Sequence, residues 1–274
     1  MLRVPLTNDD GIGAKGLQTL RRALLGVDDV ELAVVAPDSN RSATARSITF
    51  SRPLWVTEVG FEDGTKGYAC DGTPVDCVRL AALGLIDGFQ PDLVVSGINH
   101  GSNLGDDITY SGTVAAALEA LVLGVPGIAI SQQSRARELD FRLGREFDFG
   151  TAATFCSRLV EELEDVPMPP GTLLNINVPG RAPEGVEITR LGKRIYRDTL
   201  ALEDEADDGR RLYSIYGDAP GYHHEEGTDL AAVADGRIAV TPVHFDLTDR
   251  AGMDALRLHD LARLLRPAAR EVSE

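Results

Sequence analysis

The chain has 274 residues, 43% of them hydrophobic and 26% charged, a composition typical of a folded globular protein. Acidic residues outnumber basic ones by 43 to 27, and the net charge of −16 argues against nucleic acid as a partner, because its phosphates would be repelled. No signal peptide is recognisable at the start, and charged, glycine and proline residues interrupt the longest apolar region, 114–130. We therefore expect neither secretion nor a membrane span.

Strands alternate with helices over the first half of the chain. Continuous apolar runs predict buried strands at Leu2 to Leu6, Val30 to Ala36, Leu93 to Ser96 and Gly127 to Ser131. Helical spacing of apolar residues predicts helices at Lys15 to Leu25, Cys77 to Leu85 and Ser111 to Gly124, and β-type alternation covers Ile48 to Tyr68. Buried strands separated by helices predict an α/β fold with a mostly parallel sheet covered on both faces.

The second half has a mixed pattern. It predicts a helix from Phe149 to Leu163, strands at Leu173 to Val178 and Arg237 to Val243, and a terminal helix from Ala255 to Leu265. The acidic run 203–208, within a Gly-rich stretch that extends to Asp229, predicts an exposed loop or hairpin tip. We find no repeat and no clear boundary, so we expect one domain over residues 1–274. Its core spans roughly 1–190, and a hairpin and helix region spans roughly 191–274.

Cysteine and lysine usage points to the compartment. Cys70, Cys77 and Cys156 are odd in number and match neither a zinc pair nor a thioredoxin-type motif, which suits a reduced cytoplasm. Only three of the 27 basic residues are lysines, and with the excess of carboxylates this is what we expect of a halophile, whose salt-rich cytoplasm screens self-repulsion. The alternative is an acidic protein from a GC-rich genome.

Three polar loops each follow a predicted strand: 8–11, 38–42 and 96–103. Ligands of an open parallel sheet bind at the carboxyl ends of its strands, so these loops should meet. The neighbouring carboxylates Asp9 and Asp10 are stable as a pair of anions only with a cation close by. With serine and asparagine oxygens they favour Mg²⁺ or Mn²⁺ over zinc. The alternative is a helix cap and a turn.

The other two loops suit a phosphate. Asn40 and Ser42 are candidate ligands in the second loop, and Arg41 and Arg46 are near enough in sequence to meet a phosphate, although an ordinary polar turn explains the loop equally well. In the third, Asn99 and Asn103 offer amide groups. The segment 110–113 then leads into an apolar helix, whose N-terminus would attract a phosphate unless it is merely capped. A cation facing a helix N-terminus is the geometry of a phosphate-ester site.

The histidines are weaker candidates. His100 is expected to be a supporting or surface group rather than a catalyst, and His223 and His224 are expected to be exposed to solvent. The sequence contains no Gly-x-Ser-x-Gly elbow, no Walker lysine loop and no His-Glu-x-x-His helix.

At these residues the sequence resembles the SurE family, the stationary-phase survival protein and 5′/3′-nucleotidase. The matching segments are 8–11, 35–42, 71–74, 76–78, 96–101, 103–107, 110–117, 174–179, 240–242 and 246–248. They extend almost to the C-terminus, and their length makes the resemblance specific. Two departures are Thr7, where serine is usual, and Ala43, where glycine commonly follows the ligand serine.

The resemblance implies a metal-dependent phosphatase of nucleoside monophosphates. Its Rossmann-like core would carry a smaller C-terminal part that builds a homodimer or homotetramer. One divalent cation per subunit, Mg²⁺ or Mn²⁺, would be held by Asp9, Asp10, Ser42 and Asn99. The expected catalytic residues are Asp9, Asp10, Asn103 and Ser111, and the expected substrate and phosphate ligands are Asn40, Asn103, Ser111, Gly112 and Thr113.

Three hypotheses follow. The first is an enzyme in which the metal activates water for in-line attack on the phosphate. The second makes Asp9 or Asp10 a nucleophile that forms an aspartyl-phosphate, as in haloacid-dehalogenase-like phosphatases, although the expected lysine partner is missing. The third is a nucleotide-binding module without turnover.

Overall fold

A computed structural model of the chain describes residues 1–137, 146–215 and 218–265. Residues 1–244 form one compact unit, and a second unit begins at residue 245. The strands are β1 Leu2–Thr7, β2 Val30–Pro37, β3 Val56–Gly60, β4 Lys66–Cys70, β5 Val94–His100, β6 Gly127–Gln132, β7 Thr172–Val178, β8 Val186–Ile188, β9 Arg194–Arg197, β10 Ala201–Glu205, β11 Arg211–Ser214, β12 Asp218–Tyr222 and β13 Ile238–His244. The α-helices are α1 Lys15–Leu24, α2 Pro74–Ala82, α3 Gly112–Val122, α4 Gly150–Glu161, α5 Asp229–Ala234 and α6 Arg250–Arg257.

The first unit is built on a nine-stranded sheet with the order β3-β4-β2-β1-β5-β6-β7-β13-β8. The strands from β4 to β7 in that order run parallel, while β3 and β13 pair antiparallel with β4 and β7. The chain proceeds from β1 to β2 on one side and later places β5 on the other side, so the strand order reverses between β1 and β5. In a sheet of this kind the crevice at the carboxyl ends of those two strands is where ligands bind.

Helices cover both faces of this sheet. On one face, Leu17, Leu20 and Leu24 of α1 are fully buried in the same core cluster as Val4 and Leu6 of β1. On the other face, side chains of α2 and α3 pack against β5. The predicted α/β, Rossmann-like architecture is confirmed, and two small antiparallel pairs, β9 with β12 and β10 with β11, supply the β-rich part near the C-terminus.

Capping residues explain where α2 begins. It starts three residues before the predicted Cys77, because Thr73 and Asp76 form a reciprocal capping box and Pro74 fits the first helical turn. The α3 helix likewise starts after the cap residue Ser111.

The predicted β alternation over 48–68 is only partly right. Regular strands occupy 56–60 and 66–70, whereas 48–55 has no regular structure. Polar side chains bind its backbone instead: the amide of Thr49 donates to Asp76, and Arg52 donates to the carbonyl of Pro53. These contacts replace a ladder, which a proline in the segment disfavours in any case.

The terminal helix predicted for the second unit is wrong in its bounds. Instead of one helix over 255–265, α6 runs from Arg250 to Arg257 and a separate 3₁₀ turn covers Leu261–Leu265. His259 and Asp260, which are weak helix formers, fall at the break. Residues 266–274 of the predicted C-terminal region, and 216–217 of the acidic stretch, lie outside the described residues.

The acidic run 203–208 lies on the exposed β10–β11 hairpin, as predicted. Among the described residues, no helix combines the length and apolar character that crossing a membrane would require.

Candidate functional site

The loops after β1, β2 and β5 meet beside the point where the strand order reverses. They border a single pocket, and five of the predicted site residues line it: Asp9, Ser42, Asn99, Asn103 and Ser111. The expected convergence of the three loops is therefore observed.

Asp9 is buried at the base of this pocket, with 4% of its surface exposed. Its Oδ1 accepts a hydrogen bond from Thr113 Oγ1 at 2.6 Å, and its Oδ2 accepts one from the Thr113 amide at 3.2 Å. A side chain at Gly112 would come within 2.8 Å of the Asp9 Cβ, so glycine lets the start of α3 approach. Burial, with the charge of Asp10 as a second cause, raises the pKa of Asp9 to about 6.

Asp10 faces the third loop. Its Oδ2 accepts from the His100 amide at 3.0 Å and contacts His100 Nδ1 at 2.7 Å. Its Oδ1 is 3.4 Å from the amide nitrogen of Asn40. The contact with His100 joins residues 90 positions apart in the sequence.

The second loop is fixed at its start by the amide of Arg41, which donates to the Asp9 carbonyl at 2.6 Å. Further along, Arg46 pairs at 2.6 Å with Glu119, a fully buried carboxylate of α3. Between these anchors, the amide of Ser42 donates to the side chain of Asn40 at 2.8 Å, and Ala43 has a positive φ of 57°. Glycine adopts that conformation with less strain than alanine, which is consistent with the glycine expected at this position from the resemblance.

Asn103 of the third loop is held by β7. The Asn177 carboxamide accepts from the Asn103 amide at 2.8 Å and donates to its carbonyl at 2.9 Å, and Asn175 donates to the same carbonyl at 2.9 Å. The Asn103 side chain donates to Ser131 at 2.8 Å. Asn103 thus has a fixed backbone at the pocket wall, and one N–H of its side-chain amide remains for a ligand.

Ser111 caps α3 at the pocket wall. Its Oγ accepts from the Val114 amide at 3.1 Å, which leaves the hydroxyl proton free to donate. The predicted cap is therefore present. It does not exclude a ligand, because the hydroxyl of a capping serine can accept and donate at once.

Comparison with known proteins assigns the chain. The family model described as survival protein SurE matches residues 4–198. This chain belongs to the SurE family. A relative from Rubrobacter xylanophilus, named 5′-nucleotidase SurE, is 55% identical over 96% of this chain and 99% of its own length. A second of that name, from Chloroflexus aggregans, is 47% identical over 92% of this chain and 96% of its own. The crystal structure of the SurE protein from Aquifex aeolicus superposes with a TM-score of 0.76 at 37% identity, covering 93% of this chain and 98% of that one.

The donor set of this SurE chain fits a hard divalent cation. Among the described residues no cluster of three or more His, Cys, Asp or Glu side chains could hold a metal, but the neutral side chains of Ser42 and Asn99 line the same pocket as Asp9. Asp9 and Asp10 could supply the carboxylates, and a nearby cation would offset the burial and the charge of Asp10, which together raise the pKa of Asp9. Asn99 donates its amide nitrogen to the Gly101 carbonyl at 2.8 Å, which leaves its oxygen available.

Not every predicted residue faces the pocket. Thr113 uses both its amide and its hydroxyl to hold Asp9, and Gly112 packs against Asp9. In this structure both therefore support a predicted metal ligand, whereas the sequence analysis placed them against a phosphate. Asn40 reaches Asp10 and the Ser42 amide.

The sequence did not indicate the roles of Asn175 and Asn177, and it predicted His100 only as a supporting or surface group, without Asp10 as its partner. All three act through contacts between residues at least 70 positions apart, which no local pattern reveals. The two asparagines left one signal: they are polar residues inside an otherwise apolar strand, and both are fully buried.

Proposed function

We propose that this chain hydrolyses nucleoside 5′- and 3′-monophosphates to nucleosides and inorganic phosphate. One observation carries the proposal: in a chain of the SurE family, a pocket at the carboxyl edge of the sheet sets the carboxylate of Asp9 beside the N-terminus of α3, with Asp10 next to it in the same loop. The names of the relatives, 5′-nucleotidase SurE, support the same reaction.

Different residues bind different oxygens of the substrate phosphate. Ser111, with its hydroxyl proton free, donates to a phosphoryl oxygen at the positive end of α3, and the amide of Asn103 holds a second oxygen. Water attacks the phosphorus in line, the ester bond breaks, and the ribose oxygen leaves with a proton. Fixed donors that are already in place stabilise the charge of the transition state without having to reorganise.

We further propose one divalent cation per subunit, Mg²⁺ or Mn²⁺, held by Asp9, Asp10, Ser42 and Asn99. The oxygen-only donor set supports this choice. When bound, the cation supplies positive charge that neutralises the phosphate and favours attack by water.

Phosphate release from AMP tests this function. We expect the full-length protein to release phosphate with Mn²⁺ present, to stop when a chelator is added in excess, and to resume when Mn²⁺ is restored. Parallel assays with 3′-AMP measure the preference for phosphate position. A protein that binds AMP but never releases phosphate would instead be the nucleotide-binding module.

The aspartyl-phosphate alternative finds less support. Both oxygens of Asp9 accept hydrogen bonds from Thr113, and one oxygen of Asp10, Oδ2, is engaged by His100. No lysine is found among the described residues that line the pocket, and Lys15 lines a separate surface groove. A nucleophilic carboxylate would need a neighbouring cationic side chain for its acyl phosphate.

We also propose a homodimer or homotetramer in a reducing cytoplasm. Exposed apolar side chains on the β10–β11 hairpin, among them Leu202 and Leu212, support association through the C-terminal part. The three cysteines, all buried and unpaired, support a reducing compartment.

A further inference from the structure

His100 links a pair of aromatic rings to the predicted metal site. It lies at the end of β5, lines the pocket, and has a side chain that is 25% exposed. Phe147 and Phe149 meet its imidazole edge-on, with ring centroids 5.3 Å and 4.8 Å away, and the two phenylalanines stack on each other at 5.7 Å. These contacts limit how far the imidazole can turn.

Two donors of His100 converge on one oxygen of Asp10. The backbone amide and Nδ1 both contact Oδ2, at 3.0 Å and 2.7 Å. An ionised carboxylate only accepts hydrogen bonds, so Nδ1 carries the proton in this contact. A carboxylate bonded twice through the same oxygen cannot rotate without losing at least one of these bonds.

The other oxygen of Asp10 is left for a ligand. Its contact among the described residues is the amide of Asn40, at 3.4 Å, which is long for a hydrogen bond. The fixed carboxylate therefore presents Oδ1 in one orientation, on the side of the loop that carries Ser42.

We infer that His100 is a positioning residue, which holds the Asp10 carboxylate in the orientation that binds the divalent cation. This deepens the proposed function and rests on it, because Asp10 is there a ligand of the cation. Groups that hold a metal ligand in place typically change metal affinity by about 10-fold to 100-fold when they are removed. A His100 that served only to pack against the phenylalanines would leave affinity for the metal unchanged.

Substitutions at residue 100 separate the two roles. His100→Phe and His100→Leu remove the side-chain donor, the first while keeping a planar ring against Phe147 and Phe149. His100→Asn keeps an N–H near the position of Nδ1. His224→Ala is the matched control, because His224 also contacts a carboxylate, Asp235 at 3.0 Å, but on an exposed surface.

The readout is the Kd of Mn²⁺ for the full-length protein, measured by titration calorimetry without nucleotide. We expect a Kd about 10-fold higher or more in the donor-free variants, and values within about 3-fold of the parent for His100→Asn and His224→Ala. Thermal melting identifies which donor-free variants fold. If neither donor-free variant folds, the test rests on His100→Asn, which keeps a side-chain N–H. A folded His100→Asn protein whose Kd for Mn²⁺ is at least 10-fold higher than that of the parent would overturn the inference. So would a folded donor-free variant within 2-fold of the parent.

Activity then separates this inference from the proposed function. In the donor-free variants, raising the Mn²⁺ concentration should restore most of kcat for AMP, since the defect lies in holding the ion. A parent protein that binds Mn²⁺ in a His100-dependent way but releases no phosphate would contradict the proposed function and leave the inference standing. A parent protein that hydrolyses AMP, but whose affinity for Mn²⁺ does not change when residue 100 is replaced, would support the proposed function and contradict the inference about His100.

Discussion

Asp9 is ionised at neutral pH, although its burial and the charge of Asp10 both disfavour the ionised form. Its pKa of about 6 in the folded protein lies above the usual value of 3.8, so folding favours the neutral form. Without metal, this carboxyl therefore weakens the fold increasingly as the pH rises from about 4 through 6. A bound cation would relieve the cost, which ties stability to the function of the site.

Replacing Asp9 with Asn should thus stabilise the metal-free protein. With a chelator present, Asp9→Asn should increase the free energy of unfolding at pH 7 by up to about 3 kcal/mol, the free energy that corresponds to two pKa units. The gain should shrink towards zero as the pH falls from 7 to 4, because the parent carboxyl then becomes neutral. Urea denaturation across this pH range measures it. A destabilised Asp9→Asn protein, or a gain independent of pH, would contradict this reading of Asp9.

Direct hydrolysis predicts that neither Asp9 nor Asp10 becomes phosphorylated. Because no lysine is found among the described residues that line the pocket, we expect no phosphate adduct on the peptide 8–15 when turnover of AMP is quenched with acid and analysed by mass spectrometry. An adduct on either carboxylate at substantial occupancy would favour the aspartyl-phosphate mechanism.

Residue types and their position after strands were enough to predict half of the residues that line the pocket. Asp9, Ser42, Asn99, Asn103 and Ser111 lie together as expected. What the sequence could not reveal was the direction in which the side chains bond. The position of Thr113 at a helix N-terminus predicts a phosphate ligand. In the structure its amide and hydroxyl instead donate to Asp9, a residue 104 positions away in the sequence.

At the scale of elements, β7 serves the site as a support for the third loop. Asn177 satisfies both backbone groups of Asn103, whereas Asn175 adds only a second donor to the carbonyl. Losing Asn177 therefore leaves a buried amide without a partner, and losing Asn175 does not.

This difference predicts unequal costs for two similar substitutions. Asn177→Ala should lower the free energy of unfolding by about 3 kcal/mol and Asn175→Ala by about 1 kcal/mol, since an unpaired buried amide adds its own desolvation cost. Urea denaturation of both variants compares two asparagines of one strand at equal burial. Equal losses, or a larger loss for Asn175→Ala, would show that Asn177 does not hold the loop as described.

Elements with long buried faces were predicted well, and short exposed ones were not. The leucines of α1 and the apolar run of β1 have a clear period because both pack into the core. The segment 48–55 and the residues around α6 are mostly exposed, so burial imposes little pattern on them. In these segments the backbone conformation depends on individual side-chain contacts, such as the hydrogen bond from the Thr49 amide to Asp76.

At the scale of the whole molecule, the net charge of −16 sets the response to salt. Screening shortens the range of the repulsion from about 10 Å at 0.1 M to about 3 Å at 1 M ionic strength. We expect the melting temperature to rise by several degrees from dilute buffer to molar KCl, and to a similar extent with choline chloride at equal ionic strength. A melting temperature independent of salt would remove the argument for a halophile.

Hydrolysis of nucleoside monophosphates at this pocket is tested by measuring phosphate release from AMP in three proteins. These are the parent, Asp10→Asn, and Asp87→Asn, which neutralises a charge of the same kind at an exposed position outside the pocket. With Mn²⁺ present, we predict equal rates for the parent and Asp87→Asn, and no detectable release by an Asp10→Asn protein that melts like the parent. Full activity in a folded Asp10→Asn protein, or no activity in the parent, would contradict the account.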